Sequence, residues 1–196
     1  MFTGIIKNKG KVVSIVKKNK GYEVKINSNL VFSKKNIGTS ISINGVCLTL
    51  TKFLNKNLFF FISYSTFQIT NFKYLKKNST VNLEKSLKFG DEIAGHFVQG
   101  HIDTIGKVIS LKKLAKTWTF LIKVDSKFSH LLVDKGSIII DGISLTIVKS
   151  FKNQFTLVVI PHTLKLTNII SLKTGDVVNV EFDIVIKYLS KINKKK

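Results

Sequence analysis

The chain has 196 residues, 44% of them hydrophobic, with twelve glycines, one proline and one cysteine; this suits one or two compact domains and excludes low-complexity disorder and an internal disulfide. Its formal charge of +21 comes from lysine alone, sixteen before His96 and sixteen after it, with no arginine to make bidentate contacts to guanine or phosphate. The charge therefore reads as lysine spread over solvated faces rather than as a nucleic-acid footprint, and the lone cysteine fits a reducing compartment.

The opening Met1-Phe-Thr-Gly-Ile-Ile-Lys7 lacks the apolar core of a signal peptide, and no apolar run approaches the roughly 18 residues of a membrane span. A cytoplasmic protein with no membrane or nucleic-acid partner is expected. Short β-rich runs follow, punctuated by Gly, Asn and Lys-Asn: Lys11–Val16, Tyr22–Ile26, Ser40–Ile43, Cys47–Phe53, Leu58–Ser63 and Val81–Glu84. A helical turn fits residues 29–34, and Asp91-Glu92 read as a solvated turn. The second half offers Gly106–Ser110, Trp118–Val124, a helical turn over Ser126–Val133, then Ser137–Ile140, Ser144–Val148, Phe155–Ile160 and Val177–Phe182. Six short strands per half predict an all-β fold of two six-stranded antiparallel Greek-key barrels in tandem, since closure hides the sticky strand edges. The barrels are expected over residues 1–96 and 97–196. From about residue 184 the pattern turns helical, with Val185, Tyr188, Leu189 and Ile192 on one stripe. That stripe suits either self-association or packing back on its own barrel, and 194–196 read as a frayed end.

The two halves repeat each other. Asn44-Gly-Val-Cys-Leu-Thr49 returns as Asp141-Gly-Ile-Ser-Leu-Thr146, 97 residues on, and Thr66, Thr70 and Asn71 return as Thr163, Thr167 and Asn168. Val81-Asn-Leu-Glu84 returns as Val178-Asn-Val-Glu181. Near the starts, Gly4, Ile6, Gly10 and Lys11 match Gly100, Ile102, Gly106 and Lys107 at an offset of 96, one insertion accounting for the difference. Each half is of ordinary domain size, so a site built on one copy is expected twice.

The Asn/Asp-Gly pairs at 44–45 and 141–142 read as hairpin turns. They put Cys47 with Thr49, and Ser144 with Thr146, on one face of the following strand. A small polar pair inside a barrel would need partners, which a polar heterocycle would supply. Threonine is common in strands and cysteine is common core filler, but two matched copies favour a site. Gly95-His-Phe-Val-Gln-Gly-His101 is the other dense cluster, at the junction of the repeats. On a strand its histidines would face opposite ways, and no carboxylate or cysteine completes a metal set, so no metal site is expected. His130 and His162 show no partner, although His162 stands beside Thr163 in a repeated segment.

These motifs, with Met1-Phe-Thr-Gly-Ile5 and Phe182-Asp-Ile-Val-Ile-Lys-Tyr188, closely resemble the riboflavin synthase family over the whole length of the chain. The resemblance implies a homotrimer that converts two molecules of 6,7-dimethyl-8-ribityllumazine, by transfer of a four-carbon unit, into riboflavin and 5-amino-6-(ribitylamino)uracil. It implies no cofactor and no metal, and lumazine synthase as a further partner. Carried over residue by residue, it implies one pocket from Gly4, Ile5 and Ile6, Cys47, Leu48 and Thr49, and Phe61, Ile62, Ser63, Tyr64, Ser65 and Thr66, with Ser40 on the preceding strand. A second pocket would hold Gly100, His101 and Ile102, Ser144, Leu145 and Thr146, and Val158, Val159, Ile160, Pro161, His162 and Thr163. Lys135 matches a lysine that reaches a neighbouring subunit's ligand, and Asp183 an aspartate near the site. His101, Ser144 and Thr146 are the implied proton-handling groups, and Cys47 would position the acceptor. Phe61-Ile-Ser-Tyr-Ser65 departs from the Glu-containing run of many members, which removes a polar contact at position 65. Two other readings compete: a non-catalytic lumazine- or flavin-binding relative of the antenna type, and a basic β-barrel that binds nucleic acid.

Overall fold

The computed structural model describes residues 1–193, so the end expected to fray, 194–196, lies outside the described residues. The first repeat forms β1 (Asn8–Lys18), β2 (Gly21–Ser28), β3 (Ser40–Ile43), β4 (Val46–Leu54), β5 (Asn57–Ser63), α1 (Tyr64–Ile69) and β6 (Thr80–Lys85). The second forms β7 (Thr104–Leu114), β8 (Thr117–Lys123), β9 (Ser137–Ile140), β10 (Ile143–Phe151), β11 (Gln154–Val159), α2 (Pro161–Leu166) and β12 (Val177–Phe182), followed by α3 (Ile184–Asn193). Each set of six strands closes into an antiparallel barrel, in the order β1-β2-β5-β4-β3-β6 and its counterpart β7-β8-β11-β10-β9-β12.

Alternation along the strands fills the two barrels. β5 buries Leu58, Phe60 and Ile62, and β11 buries Phe155, Leu157 and Val159, while Phe61 and Val158 between them face outward. Burying each such side chain contributes about 1.5–3 kcal/mol. Register shifts at Val12/Ser14 and Leu50/Lys52 recur at Val108/Ser110 and Ile147/Lys149. One extra residue at a bulge bends a strand, which four such sites exploit to curl the sheets shut. At the β3–β4 and β9–β10 hairpins, Asn44 and Asp141 share φ +47° and Gly45 and Gly142 share φ +82°. Two successive positive φ values are the two-residue turn that the Asn/Asp-Gly pairs predict.

Three details differ from the sequence expectation. The helical turn near 29–34 forms later, at Lys34–Asn36, because Asn36 Oδ1 accepts the Ser33 N–H at 2.8 Å and starts the turn there. The short helices α1 and α2 were not foreseen, since six residues carry too little periodicity to register. Residues 95–103 form no strand beyond a single bridge, Phe2 to Val98, so the histidines at 96 and 101 are not placed by strand alternation.

Between the barrels lies a buried polar hub of repeat-related residues: Asn44 with Asp141, Asn71 with Asn168, and Asn82 with Asn179. Its bonds come in pairs. The Asn82 N–H donates to Asn44 Oδ1 (2.8 Å) as the Asn179 N–H donates to Asp141 Oδ1 (2.8 Å). Asn82 Nδ2 reaches the Asp141 carbonyl (2.9 Å) as Asn179 Nδ2 reaches the Asn44 carbonyl (2.8 Å). Buried polar groups need such partners, and the side-chain amides of Asn82 and Asn179 find theirs on the opposite barrel.

Helix α3 uses both faces. Ile186 packs on the second barrel, and Lys187 Nζ pairs with the Asp103 carboxylate at 3.0 Å. Val185, Tyr188, Leu189 and Ile192 remain exposed. No helix among the described residues is long and apolar enough to cross a membrane.

Candidate functional site

Cys47 with Thr49, and Ser144 with Thr146, do share a face, but it is the outer face of each barrel. The interiors are filled by the two apolar cores, to which Leu48 and Leu50 contribute from β4 and Ile147 from β10, with Leu145 packed against the core. The expectation of a polar pair inside a barrel is thus corrected: alternation sends the apolar neighbours inward and the polar ones out. Ser40 lies opposite Thr49 in the β3–β4 register, and Ser137 opposite Thr146 in its counterpart. Ile62 and Val159 are fully buried.

The loops before β1 and β7 cross between the barrels. Glu84 on β6 accepts the Thr3 N–H (2.7 Å), the Thr3 hydroxyl (2.8 Å) and the Gly4 N–H (3.0 Å). Glu181 on β12 likewise accepts the Gln99 and Gly100 N–H groups at 2.9 and 3.0 Å. Held so, each loop presses on the other repeat: the Gly4 carbonyl accepts the Ser144 N–H (2.8 Å), and the Gly100 carbonyl accepts the Cys47 N–H (2.9 Å). Ile6 joins the core of the second barrel and Ile102 that of the first. Gly4 and Gly100 have φ of +76° and +78°, and a Cβ on either would lie 2.7 Å from the Cβ of Ser144 or Cys47. Only glycine serves at both positions.

This crossing exchanges half of the expected pocket composition. Gly100, His101 and Ile102 accompany Cys47, whereas Gly4, Ile5 and Ile6 accompany Ser144. Repetition along the chain identifies equivalent loops but not the barrel each packs against, which tertiary contacts decide.

His101 is therefore exposed on the Cys47 side, and the histidine beside Ser144 is His96, whose Nδ1 lies 2.8 Å from the Ser144 Oγ. Burial lowers the His96 pKa and so favours the neutral imidazole, which is able to take a proton; the negative charge of Asp183 opposes this in part and favours the protonated form. Asp183 follows β12, and its Oδ1 accepts the Val185 N–H at 2.8 Å at the start of α3. Sequence reasoning noted His96 but did not choose it; the spacing within Gly95–His101 holds no signal of which histidine meets which strand.

The segments 61–66 and 158–163 each comprise the end of a strand and the first turn of a helix. In the first, Ser63 Oγ accepts the Thr66 N–H at 3.1 Å and lies 2.9 Å from both the Ser65 and Thr66 hydroxyls. Phe61 and Tyr64 are exposed beside this hydroxyl group. In the second, Ile160 stands at the helix start without a side-chain cap, followed by Pro161, with His162 exposed and Thr163 half-buried. The Ser65 hydroxyl is thus bound into a local network. Lys135 is exposed beside β10, its N–H donating to the Ile147 carbonyl at 2.7 Å.

Two composite surfaces result: Ser40, Cys47, Thr49, segment 61–66 and the 100–102 loop on one, and Ser144, Thr146, segment 158–163, the 4–6 loop, His96 and Asp183 on the other. Both are open, with Thr49, Thr146, Phe61 and Val158 exposed. A cleft of about 430 Å³ runs beside Ile5, Glu84 and the 85–94 linker, but neither Cys47 nor Ser144 lines it. Among the described residues no group of three or more His, Cys, Asp or Glu could hold a metal ion.

The lumazine binding domain family matches the chain twice, over residues 3–86 and 99–183. The chain is 40% identical to riboflavin synthase of Actinobacillus pleuropneumoniae, covering all of this chain and 91% of that protein. It is 35% identical to riboflavin synthase of Bacillus subtilis (strain 168), covering 96% and 88%. Among solved structures it is similar to LumP complexed with riboflavin, at a TM-score of 0.82 and 25% identity over 93% of this chain and all of that one. Two domain matches, the matched barrels and relatives aligned over nearly their full length converge: the chain belongs to the riboflavin synthase family and carries two lumazine-binding domains.

Proposed function

We propose that the chain is a transferase that converts two molecules of 6,7-dimethyl-8-ribityllumazine into riboflavin and 5-amino-6-(ribitylamino)uracil. One molecule gives up a four-carbon unit and the other receives it, so the atoms balance without an oxidant, reductant or cofactor. One compound must then take two roles, which requires two environments. The observation that carries this reading is the difference between the composite surfaces: Ser144 with a neutral His96 on one, Cys47 with an exposed His101 on the other.

On the Ser144 surface, His96 draws the proton from a ring methyl, with Ser144 and Thr146 donating to the anion that forms and Asp183 stabilising the imidazolium. On the Cys47 surface, Cys47, Thr49 and Ser40 orient the second ring, while the hydroxyls of Ser63, Ser65 and Thr66 face its polar chain. Holding two rings in register supplies much of the rate, since well-oriented reactants gain on the order of 7–11 kcal/mol over free ones. Because both surfaces are open, a second subunit closes each: the chain acts as a cytoplasmic homotrimer, the apolar stripe of α3 provides self-association, and Lys135 reaches the ligand of a neighbour. Association with lumazine synthase completes this reading. Relatives named riboflavin synthase, at 32–41% identity, favour an enzyme over a non-catalytic ligand-binding protein, while the likeness to LumP complexed with riboflavin is at 25% identity.

The test is to supply the purified chain with 6,7-dimethyl-8-ribityllumazine in the presence of a chelator. Riboflavin fluorescence should appear; tight binding of the lumazine without turnover would favour the antenna reading.

A further inference from the structure

The 100–102 loop, which carries His101 on the Cys47 side, is gripped at both ends by the segment that leads from β12 into α3. At its start, Glu181 accepts the Gln99 and Gly100 N–H groups. At its end, the Asp103 N–H donates to the Val180 carbonyl at 3.0 Å, and Asp103 Oδ2 accepts the Phe182 N–H at 2.9 Å. Lys187 Nζ on α3 completes the grip by donating to both Asp103 oxygens, at 3.1 and 3.0 Å. Each of these two side chains is only 21% exposed, so water screens the pair less than it screens Lys127–Asp125 or Lys149–Asp134. Hydrogen bonds between charged groups are the strong ones, and this one ties a helix to a loop.

The first repeat has no such clasp. At the offset of 96 that relates the two loops, Lys7 stands where the second repeat has Asp103. Glu84 grips the start of the 4–6 loop, but Lys7 is exposed and makes no ion pair among the described residues. After β6 the chain enters the 85–94 linker, where the second repeat enters α3. The loops also differ in what they carry: Ile5 in the first and His101 in the second. The clasp thus occurs only on the loop whose side chain can exchange a proton. Its helix is itself seated, since Ile186 Cδ1 lies 3.5 Å from where a Gly136 Cβ would stand, and the Phe182 ring lies 5.4 Å from that of Phe128. Lys187 acts on the other end of the loop as well. Burial raises the Glu181 pKa to about 7, and the positive charge of Lys187 opposes that rise, favouring the carboxylate that accepts the loop N–H groups; Asp103 favours its protonation.

We infer that Lys187 and Asp103 are positioning residues that hold His101 at the Cys47 surface, so that the placement of this histidine depends on the docking of α3. Removing the ammonium leaves a partly shielded Asp103 carboxylate without its cation, two residues beyond His101, and that uncompensated charge is relieved when the loop end moves toward water. The effect of the pair on turnover rests on the function proposed above; its effect on the loop does not.

The experiment compares the two loops within one chain. Lys187→Met keeps the aliphatic stem and removes the charge, whereas Lys187→Arg keeps the charge. Amide hydrogen exchange at residues 99–103 should quicken about tenfold in Lys187→Met and stay within about twofold at residues 3–7, whose grip by Glu84 is untouched. Turnover should follow, with kcat lowered about fivefold and KM changed less than about twofold. Lys187→Arg should return both readouts to within about twofold of the parent, since a guanidinium also binds a carboxylate through two bonds. Asp103→Asn can still accept the Phe182 N–H through its amide oxygen; it should show the same contrast between the loops, and it carries the test should Lys187→Met fail to fold. Replacing Val185 and Leu189 by Ser keeps the pair and should leave exchange at 99–103 slow; a rise there equal to that of Lys187→Met would assign the effect to assembly and overturn the inference. An equal rise in both loops, or faster exchange at 99–103 with kcat unchanged, would overturn it too. The exchange contrast in a chain without turnover would sink the function proposed above and leave the clasp standing.

Discussion

His96 Nδ1 lies 2.8 Å from the Ser144 Oγ, across 48 residues of sequence. A half-buried neutral imidazole against a hydroxyl, beside an aspartate, can accept a proton and pass its charge to a fixed neighbour. His96→Ala and Ser144→Ala should therefore each lower kcat by on the order of 10²–10³, in the range of lost acid–base catalysis. Lumazine affinity at the Cys47 surface should hold within about threefold, read by fluorescence titration, because neither residue reaches it. Since burial lowers the His96 pKa, the acid limb of the kcat profile should lie below the ordinary histidine value of about 6.5. Equal losses of binding and turnover would contradict the assignment.

Gly4→Ala and Gly100→Ala test the crossing of the loops. Each puts a Cβ in a left-handed conformation, costing about 1–2 kcal/mol, and drives it to 2.7 Å from Ser144 or Cys47. Both should lower the unfolding free energy read from urea titration by at least this amount, whereas Gly38→Ala, whose Cβ would meet nothing within 4 Å, bears only the backbone cost. If the three variants proved equally stable, the close approach of loop to hairpin would be wrong.

Burial raises the pKa of Asp141 to about 7 and that of Glu181 to about 7, outweighing the N–H groups that each accepts. Their unfolded values are near 4, so between about pH 4 and pH 7 the folded chain binds more protons than the unfolded one. Stability from these groups is thus fully present below about pH 4 and lost as pH rises through 7, at up to about 1.4 kcal/mol per pH unit for each group. Glu181→Gln should flatten the fall of thermal midpoint between pH 5 and pH 8 while still accepting one of the two loop N–H groups. An unchanged slope would remove Glu181 from the account.

Helix α3 separates docking from assembly. Replacing Val185 and Leu189 by Ser strips apolar surface from the exposed stripe and spares Ile186 and the Lys187–Asp103 pair. Sedimentation velocity should then show monomer in place of the proposed trimer, with the thermal midpoint of the barrels little changed. A trimer that persists would move the interface elsewhere.

How far the sequence carried can be judged from single residues. Alternation of apolar positions and the Asn/Asp-Gly turns located all twelve strands, because both are local properties of a closed barrel. The same locality misled at Asn44 and Asp141: their role as turn residues was visible, but their junction of two barrels needs residues 71, 82, 168 and 179, which are distant in sequence. Cys47 and Ser144 were legible as a divergent pair. Their companions were not, since the crossing of the loops depends on Glu84 and Glu181 holding Gly4 and Gly100 against the opposite repeat. His96, visible in the Gly95–His101 cluster, could not be matched to Ser144 for the same reason.

The central claim, two unlike surfaces for one compound, is tested most directly by stoichiometry. The purified chain is incubated with 6,7-dimethyl-8-ribityllumazine as the sole reactant, and all species are followed by chromatography. The account predicts one riboflavin and one 5-amino-6-(ribitylamino)uracil for every two lumazines consumed. Lumazine recovered unchanged from a folded, ligand-bound protein would contradict it.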